Sequence, residues 1–150
     1  MIKACESGET KVVQLLLERC SAEESGLNMK DEDGWTPFML ACKKRHVDVV
    51  KLLLDRSEKF ELNSTSKHGE TAFKWVCERG YTDVVRLLLN HSERIDINAT
   101  TKYGKTAFMW ARMREHKDVV QMLMDHSKRN DMNATTDNEN VLIKRGRKKC

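Results

Sequence analysis

The stretch DVVKLLLD (48–55) sets two valines and three leucines at helical spacing between charged residues, as a helix with one apolar face does. The chain says nearly the same thing three more times, as KVVQLLLE (11–18), DVVRLLLN (83–90) and DVVQMLMD (118–125). Val12, Val49, Val84 and Val119 are spaced by 37, 35 and 35 residues. Gly34, Gly69 and Gly104 keep the 35-residue step, and so do Asn28, Asn63, Asn98 and Asn133. The two additional residues of the first interval fall in CSAEESGLN (20–28). Several landmarks in one register establish an internal repeat, which decides the architecture before any single element does.

Each unit is legible on its own. Thr36-Pro37 opens a helix, because a threonine hydroxyl caps free N–H groups and proline suits the first helical position. TPFMLACKKR then predicts a short helix of about nine residues with Phe38, Leu40 and Ala41 on one side. Lys44-Arg45-His46 turns the chain into a second helix whose apolar stripe is Val49, Val50, Leu52, Leu53 and Leu54. The polar stretch RSEKFELNSTSKHG (56–69) follows, alternating around Phe60 and Leu62 as a short extended or hairpin segment would. Both helices are shorter than the roughly 12–15 residues at which isolated helices become marginal. Stacking must therefore supply each unit with its missing hydrophobic partner.

Composition agrees with a thin, extended core: 39% of residues are hydrophobic and 33% charged. The formal net charge of +4 is concentrated in KRGRKKC (144–150); without its five cations the remainder stands at −1. No apolar run approaches the roughly 18 residues of a membrane span, and the start MIKACESGET has no apolar signal core. The five cysteines, Cys5, Cys20, Cys42, Cys77 and Cys150, include no C-x-x-C pair, which argues against a disulfide framework or a zinc site. Free thiols suit a reducing compartment. A cytoplasmic location is expected, with 144–149 as a candidate nuclear import signal.

The 35-residue period, the turn followed by two short helices, and the opening Thr36-Pro37-Phe38-Met39-Leu40-Ala41 resemble the ankyrin repeat, whose opening is T-P-L-H-x-A. TAFKWV (71–76) and TAFMWA (106–111) are weaker versions, each preceded by Gly-x-Thr, as at Gly34-Trp35-Thr36. Asn63, Asn98 and Asn133, following Leu62, Ile97 and Met132, resemble the family's finger signature. The resemblance implies an all-α solenoid over residues 1–143, with about four helix pairs, the first incomplete, hairpin-like finger loops, a degenerate stub at the end, and a basic tail at 144–150. Three departures stand out. Met39, Lys74 and Met109 replace the family's histidine. Arg45 and Glu115 replace the glycine that ends the first helix, which survives as Gly8 and Gly80, so a left-handed backbone there costs each on the order of 1 kcal/mol. The fingers carry two extra residues, and Phe60 and Ile95 in that insertion are expected to pin the loop to the body.

No catalytic constellation emerges. His46 and His116 share one repeat position, and His91 and His126 another. Equivalent residues on neighbouring units stand roughly 10 Å apart, too far for one ion. Cys5, Cys42 and Cys77 share a position where small side chains are needed and read as buried, inert thiols. Trp75 and Trp110 occupy the position of Leu40 and read as core. Trp35 lies in a turn whose side chains project, which makes it a candidate contact.

The resemblance implies binding through finger tips and the inner face of the first helices. Carried over unit by unit, the tips are Glu32, Asp33 and Trp35, then Lys67, His68 and Glu70, then Lys102, Tyr103 and Lys105. The helix positions are Glu6 and Ser7, Lys43 and Lys44, Glu78 and Arg79, and Met113 and Arg114. The expected function is non-catalytic recognition of a protein partner by a monomer. No cofactor, metal, small-molecule substrate or membrane is expected, and nucleic acid only as a weaker reading through the basic tail. The other readings are a fragment of a larger ankyrin-repeat scaffold or enzyme.

Overall fold

A computed structural model describes residues 1–19 and 26–137. Eight α-helices follow one another as four antiparallel pairs: α1 (Ile2–Ser7) with α2 (Thr10–Arg19), α3 (Pro37–Lys43) with α4 (Val47–Leu54), α5 (Ala72–Arg79) with α6 (Thr82–Leu89), and α7 (Ala107–Met113) with α8 (Lys117–Asp137). Beyond these pairs, first helices pack in series, α1 on α3 on α5 on α7, and second helices likewise, α2 on α4 on α6 on α8. The result is a two-layer all-α solenoid.

Local chemistry sets the boundaries. Thr36, Thr71 and Thr106 accept hydrogen bonds on their hydroxyls from the amides of Met39, Lys74 and Met109 at 3.2, 3.1 and 3.3 Å. These caps satisfy donors that a helix start otherwise leaves free. The α3 helix stops at Lys43, shorter than its sequence pattern suggests, and the chain turns through Arg45 at φ 60°. Glu115 has φ 61° at the same repeat position, while Gly8 and Gly80 have φ 74° and 72°. All four positions are left-handed, and two of them bear side chains that disfavour it. Glu115→Gly therefore raises unfolding free energy by about 0.5–1 kcal/mol in a urea titration. Arg45→Gly gains less, because it also deletes the 3.2 Å contact from Arg45 Nε to Asp83.

Burial shows why the valines come in pairs. Val49, Val84 and Val119 are each 0% exposed, as the repeat requires, whereas Val12 is 39% exposed. The second valine behaves oppositely: Val13, Val50 and Val85 are buried and Val120 only half-buried. One valine thus faces the preceding unit and its neighbour the following one. Each fully buried side chain of this size contributes about 1.5–3 kcal/mol, and only stacking buries both.

The connections between pairs contain no strand among the described residues; the fingers are tight turns closed by backbone pairs such as Asp31 N to Trp35 O at 3.0 Å and Ser66 N to Glu70 O at 3.0 Å. Two asparagines do the joining. Asn28 donates to Lys59 O at 3.1 Å and accepts from Glu61 N at 2.8 Å. Asn63 repeats this one unit on, with Arg94 O at 3.0 Å and Asp96 N at 2.8 Å. Each amide acts as a short piece of strand, pairing with the next loop's backbone. Phe60 and Ile95, at 4% and 5% exposure, pin the longer loops as expected. Asn133, read as a finger residue, lies instead within α8, which runs unbroken to Asp137. The sequence there, HSKRNDMNATTD (126–137), lacks any glycine or proline to stop a helix. The stub at 138–143, the basic tail at 144–150, Cys20 and Cys150 lie outside the described residues.

Candidate binding surface

The finger tips are closed by one side chain per unit, at Asp31, Ser66 and Thr101. Asp31 accepts on Oδ1 from the amides of Asp33 at 2.9 Å and Trp35 at 2.8 Å. Ser66 does the same for His68 and Glu70, both at 3.3 Å, and Thr101 for Tyr103 at 3.3 Å. Side chains of this length close such turns on their own backbone. The signal was present, since Asp31, Ser66 and Thr101 keep the 35-residue step. Adjacent tips are tied together: Lys67 N donates to Asp33 O at 2.9 Å, and Lys30 Nζ to Thr65 O at 3.2 Å.

Most of the residues proposed for binding are at the surface. Glu32, Asp33, Lys44, Lys67, His68, Arg79, Lys102, Tyr103, Met113 and Arg114 are exposed, with Tyr103 at 69%. Lys43, Glu70, Glu78 and Lys105 are half-buried. Trp35 is the correction. It is 3% exposed, turned under the tip to meet Trp75 edge-to-face at 5.2 Å between ring centroids. A large apolar ring beside another gains more from that contact than from projecting into water.

Trp75 and Trp110 differ from the reading as well. Leu40 at their repeat position is buried, but both indoles are half-buried on the inner face of the first helices. Their N–H groups are buried, with no acceptor among the described residues, so the rings offer faces rather than donors. Those faces are covered by cations. Lys43 Nζ stands 4.3 Å from the Trp35 centroid and 5.1 Å from Trp75. The Arg79 guanidinium is 4.7 Å from Trp75. Lys74 Nζ is 5.9 Å from Trp75 and 4.5 Å from Trp110, and Lys105 Nζ is 5.1 Å from Trp110. Such distances place each cation where the ring's negative face attracts it.

Lys74 is the member that reasoning from sequence set aside as a mere replacement. It is 4% exposed and lies between two carboxylates, Glu70 at 2.6 Å in the turn just before α5 and Glu78 on α5 in direct contact. Glu78 reaches the next unit through Arg114 at 2.9 Å. Burial alone would raise the Glu78 carboxyl, but hydrogen bonds from Lys74 and Arg114 outweigh it and hold it below the ordinary glutamate range. Glu70 and Glu78 are thus occupied within the fold. The Lys43, Arg79, Lys102 and Lys105 cations, by contrast, have no carboxylate within 4.0 Å among the described residues.

Nothing else in the described residues resembles a reaction centre. The buried thiols of Cys5, Cys42 and Cys77 are free, and desolvation pushes Cys5 up to about 11 and the other two further still. A thiol so protonated is a poor nucleophile. His46 and His116 spend Nε2 on the backbone carbonyls of Glu6 and Glu78, each at 2.8 Å. No group of three or more His, Cys, Asp or Glu converges among the described residues, and none of their helices is long and apolar enough to cross a membrane.

Comparison with known proteins fits this geometry. No curated protein matches the chain. A family model described as ankyrin repeats (3 copies) matches residues 1–66 and 57–136. With paired helices stacked in a 35-residue register and a match that covers most of its length, the chain belongs to the ankyrin-repeat family, whose members are generally protein–protein interaction modules.

Proposed function

We propose that this chain recognises a protein partner through the inner face of its first helices and the adjoining finger tips, without catalysis. One observation supports the reading above the rest. The core positions repeat from unit to unit, while the strip positions Arg79, Tyr103, Met113 and Arg114 are exposed and Lys43 half-buried, bringing aromatic, sulfur-containing and cationic side chains to the surface. Tyrosine, methionine and arginine are enriched at protein interfaces. Tip-to-tip hydrogen bonds and serial helix packing make the strip rigid, which limits the ordering cost of binding.

The test is affinity capture with the wild type beside a variant carrying Arg79→Ala, Tyr103→Ala and Met113→Ala. A second variant, Lys51→Ala with Gln121→Ala, alters only the outer helices α4 and α8. Proteins retained by the wild type and the outer-helix variant should be lost from the strip variant. Identical captures by all three would remove this surface from consideration.

A further inference from the structure

The strip says what chemistry its partner presents. Its central feature is a ladder in which cations and aromatic rings alternate across three units: Trp35, Lys43, Trp75, Lys74, Trp110, Lys105. Because the chain's own cations lie over these rings, a cationic partner would meet like charge rather than an open aromatic cage. The two carboxylates in the middle, Glu70 and Glu78, are turned inward onto Lys74 and, for Glu78, Arg114. What faces outward is Lys43, Arg79, Lys102 and Lys105. Of these, Lys43, Arg79 and Lys105 rest on indole faces, which hold them in place and strip part of their water, so an incoming carboxylate meets preordered donors. The rest of the body is close to neutral, the basic tail apart. The positive strip is therefore a local feature and not a reflection of total charge.

We infer that the bound segment is an extended, acidic stretch of polypeptide lying across α3, α5 and α7. This rests on the recognition reading above and specifies its partner class. The spacing follows from geometry. Neighbouring units stand about 8–10 Å apart, and an extended chain advances about 3.3–3.6 Å per residue. Acidic side chains at every third position thus meet one cationic rung each. Direction follows too. Glu32 and Asp33 make the first tip acidic, while Lys102 and Lys105 make the last one basic. The segment's acidic end therefore lies toward α7, away from the first tip. A protein segment fits better than a nucleic acid, because Tyr103 and Met113 add exposed apolar surface beside the cations and Glu32 and Asp33 would repel a continuous phosphate backbone.

Three fluorescein-labelled twelve-residue peptides test this on the full chain by fluorescence anisotropy in low salt. One has Glu at every third position among Ser and Leu, one has the same composition with its Glu residues adjacent, and one has Lys for Glu. The spaced peptide should bind at least tenfold tighter than the Lys peptide and about threefold tighter than the clustered one, weakening several-fold on raising salt to about 0.3 M. Arg79→Glu with Lys105→Glu should weaken it at least tenfold. Lys51→Glu on α4 should leave it unchanged, and equal urea midpoints for the variants show that folding is intact. Equal binding of the three peptides, or tighter binding of a twelve-nucleotide single strand than of the spaced peptide, overturns the inference. If the peptides fail while the strip variant still loses its captured proteins, the partner class is wrong and the recognition surface stands. If the strip variant also captures normally, both fall.

Discussion

Lys74→Met lowers the unfolding free energy by about 3 kcal/mol at pH 7, even though methionine occupies the same repeat position at Met39 and Met109. The size follows from what the substitution leaves behind. Lys74 is 4% exposed and neutralises two half-buried carboxylates. Removing one partner from a buried ionic cluster leaves charge without compensation and typically costs 3–5 kcal/mol, against near neutrality when the whole cluster is made apolar. Arg114 remains on Glu78, which keeps the loss at the lower end. Glu70→Gln and Glu78→Gln added to Lys74→Met should recover at least half of it. The pH dependence has a definite sign. Glu78 is held below the ordinary glutamate value in the folded chain. Its contribution is therefore complete above that value, about 4.3, and is lost as pH falls through the lower folded value. In the Lys74→Met chain the Lys74 part of this contribution is gone, so the gap between the two proteins narrows below about pH 4. Urea titrations at pH 7 and pH 3.5 give both numbers. A loss below about 1 kcal/mol at pH 7, or a gap that does not close with acid, would contradict the account.

Sequence and structure agree most closely where a contact depends on one unit alone. The caps Thr36, Thr71 and Thr106 answer to a backbone amide three residues on, and the left-handed positions at Arg45 and Glu115 to the turn itself. The valine pairs were readable because every interior unit meets the same neighbours. What escaped depends on the identity of a residue one unit away. Trp35 looks like a projecting tip residue until Trp75 and Lys43 stand beneath it. Trp75 reads as core by analogy with Leu40, yet an indole is too large for a leucine's space and is left at the inner surface with cations on its faces. Lys74 seems a defect in a signature unless Glu78 is placed one turn on along the same helix face, where such pairs meet, and Glu70 in the turn four residues before it. That clue was in the sequence. The length of α8 was not legible from the repeat, because the register that marks Asn133 as a finger says nothing about whether a loop packs there.

Gly80→Ala tests the most specific of these cross-unit dependencies, and about 2–3 kcal/mol of stability should be lost. Gly80 ends α5 at φ 72°, a conformation that costs a residue bearing Cβ roughly 1 kcal/mol. Space adds the rest. A Cβ at this position would lie 2.6 Å from His116 Nδ1, so the imidazole must move. Its Nε2 then gives up the 2.8 Å bond to Glu78 O, and losing a hydrogen bond to a half-buried carbonyl costs about 1–2 kcal/mol. The two terms separate in a double-mutant cycle. In a His116→Ala background, Gly80→Ala should cost only the backbone part, about 1 kcal/mol. Equal costs in the two backgrounds would mean that the imidazole contact contributes nothing. The same rule explains the alternation along the solenoid. A Cβ at Gly8 would likewise lie 2.6 Å from His46 Nδ1, repeating the Gly80–His116 arrangement. Between them the helix-ending residue is Arg45, and the residue above it is Tyr81, whose ring lies 5.4 Å from the Arg45 guanidinium. Glycine and histidine therefore go together across a unit boundary, and arginine goes with tyrosine. Tyr81→His should destabilise the chain with Arg45 in place and do so much less after Arg45→Gly, because only glycine leaves room for the ring to reach the carbonyl behind it.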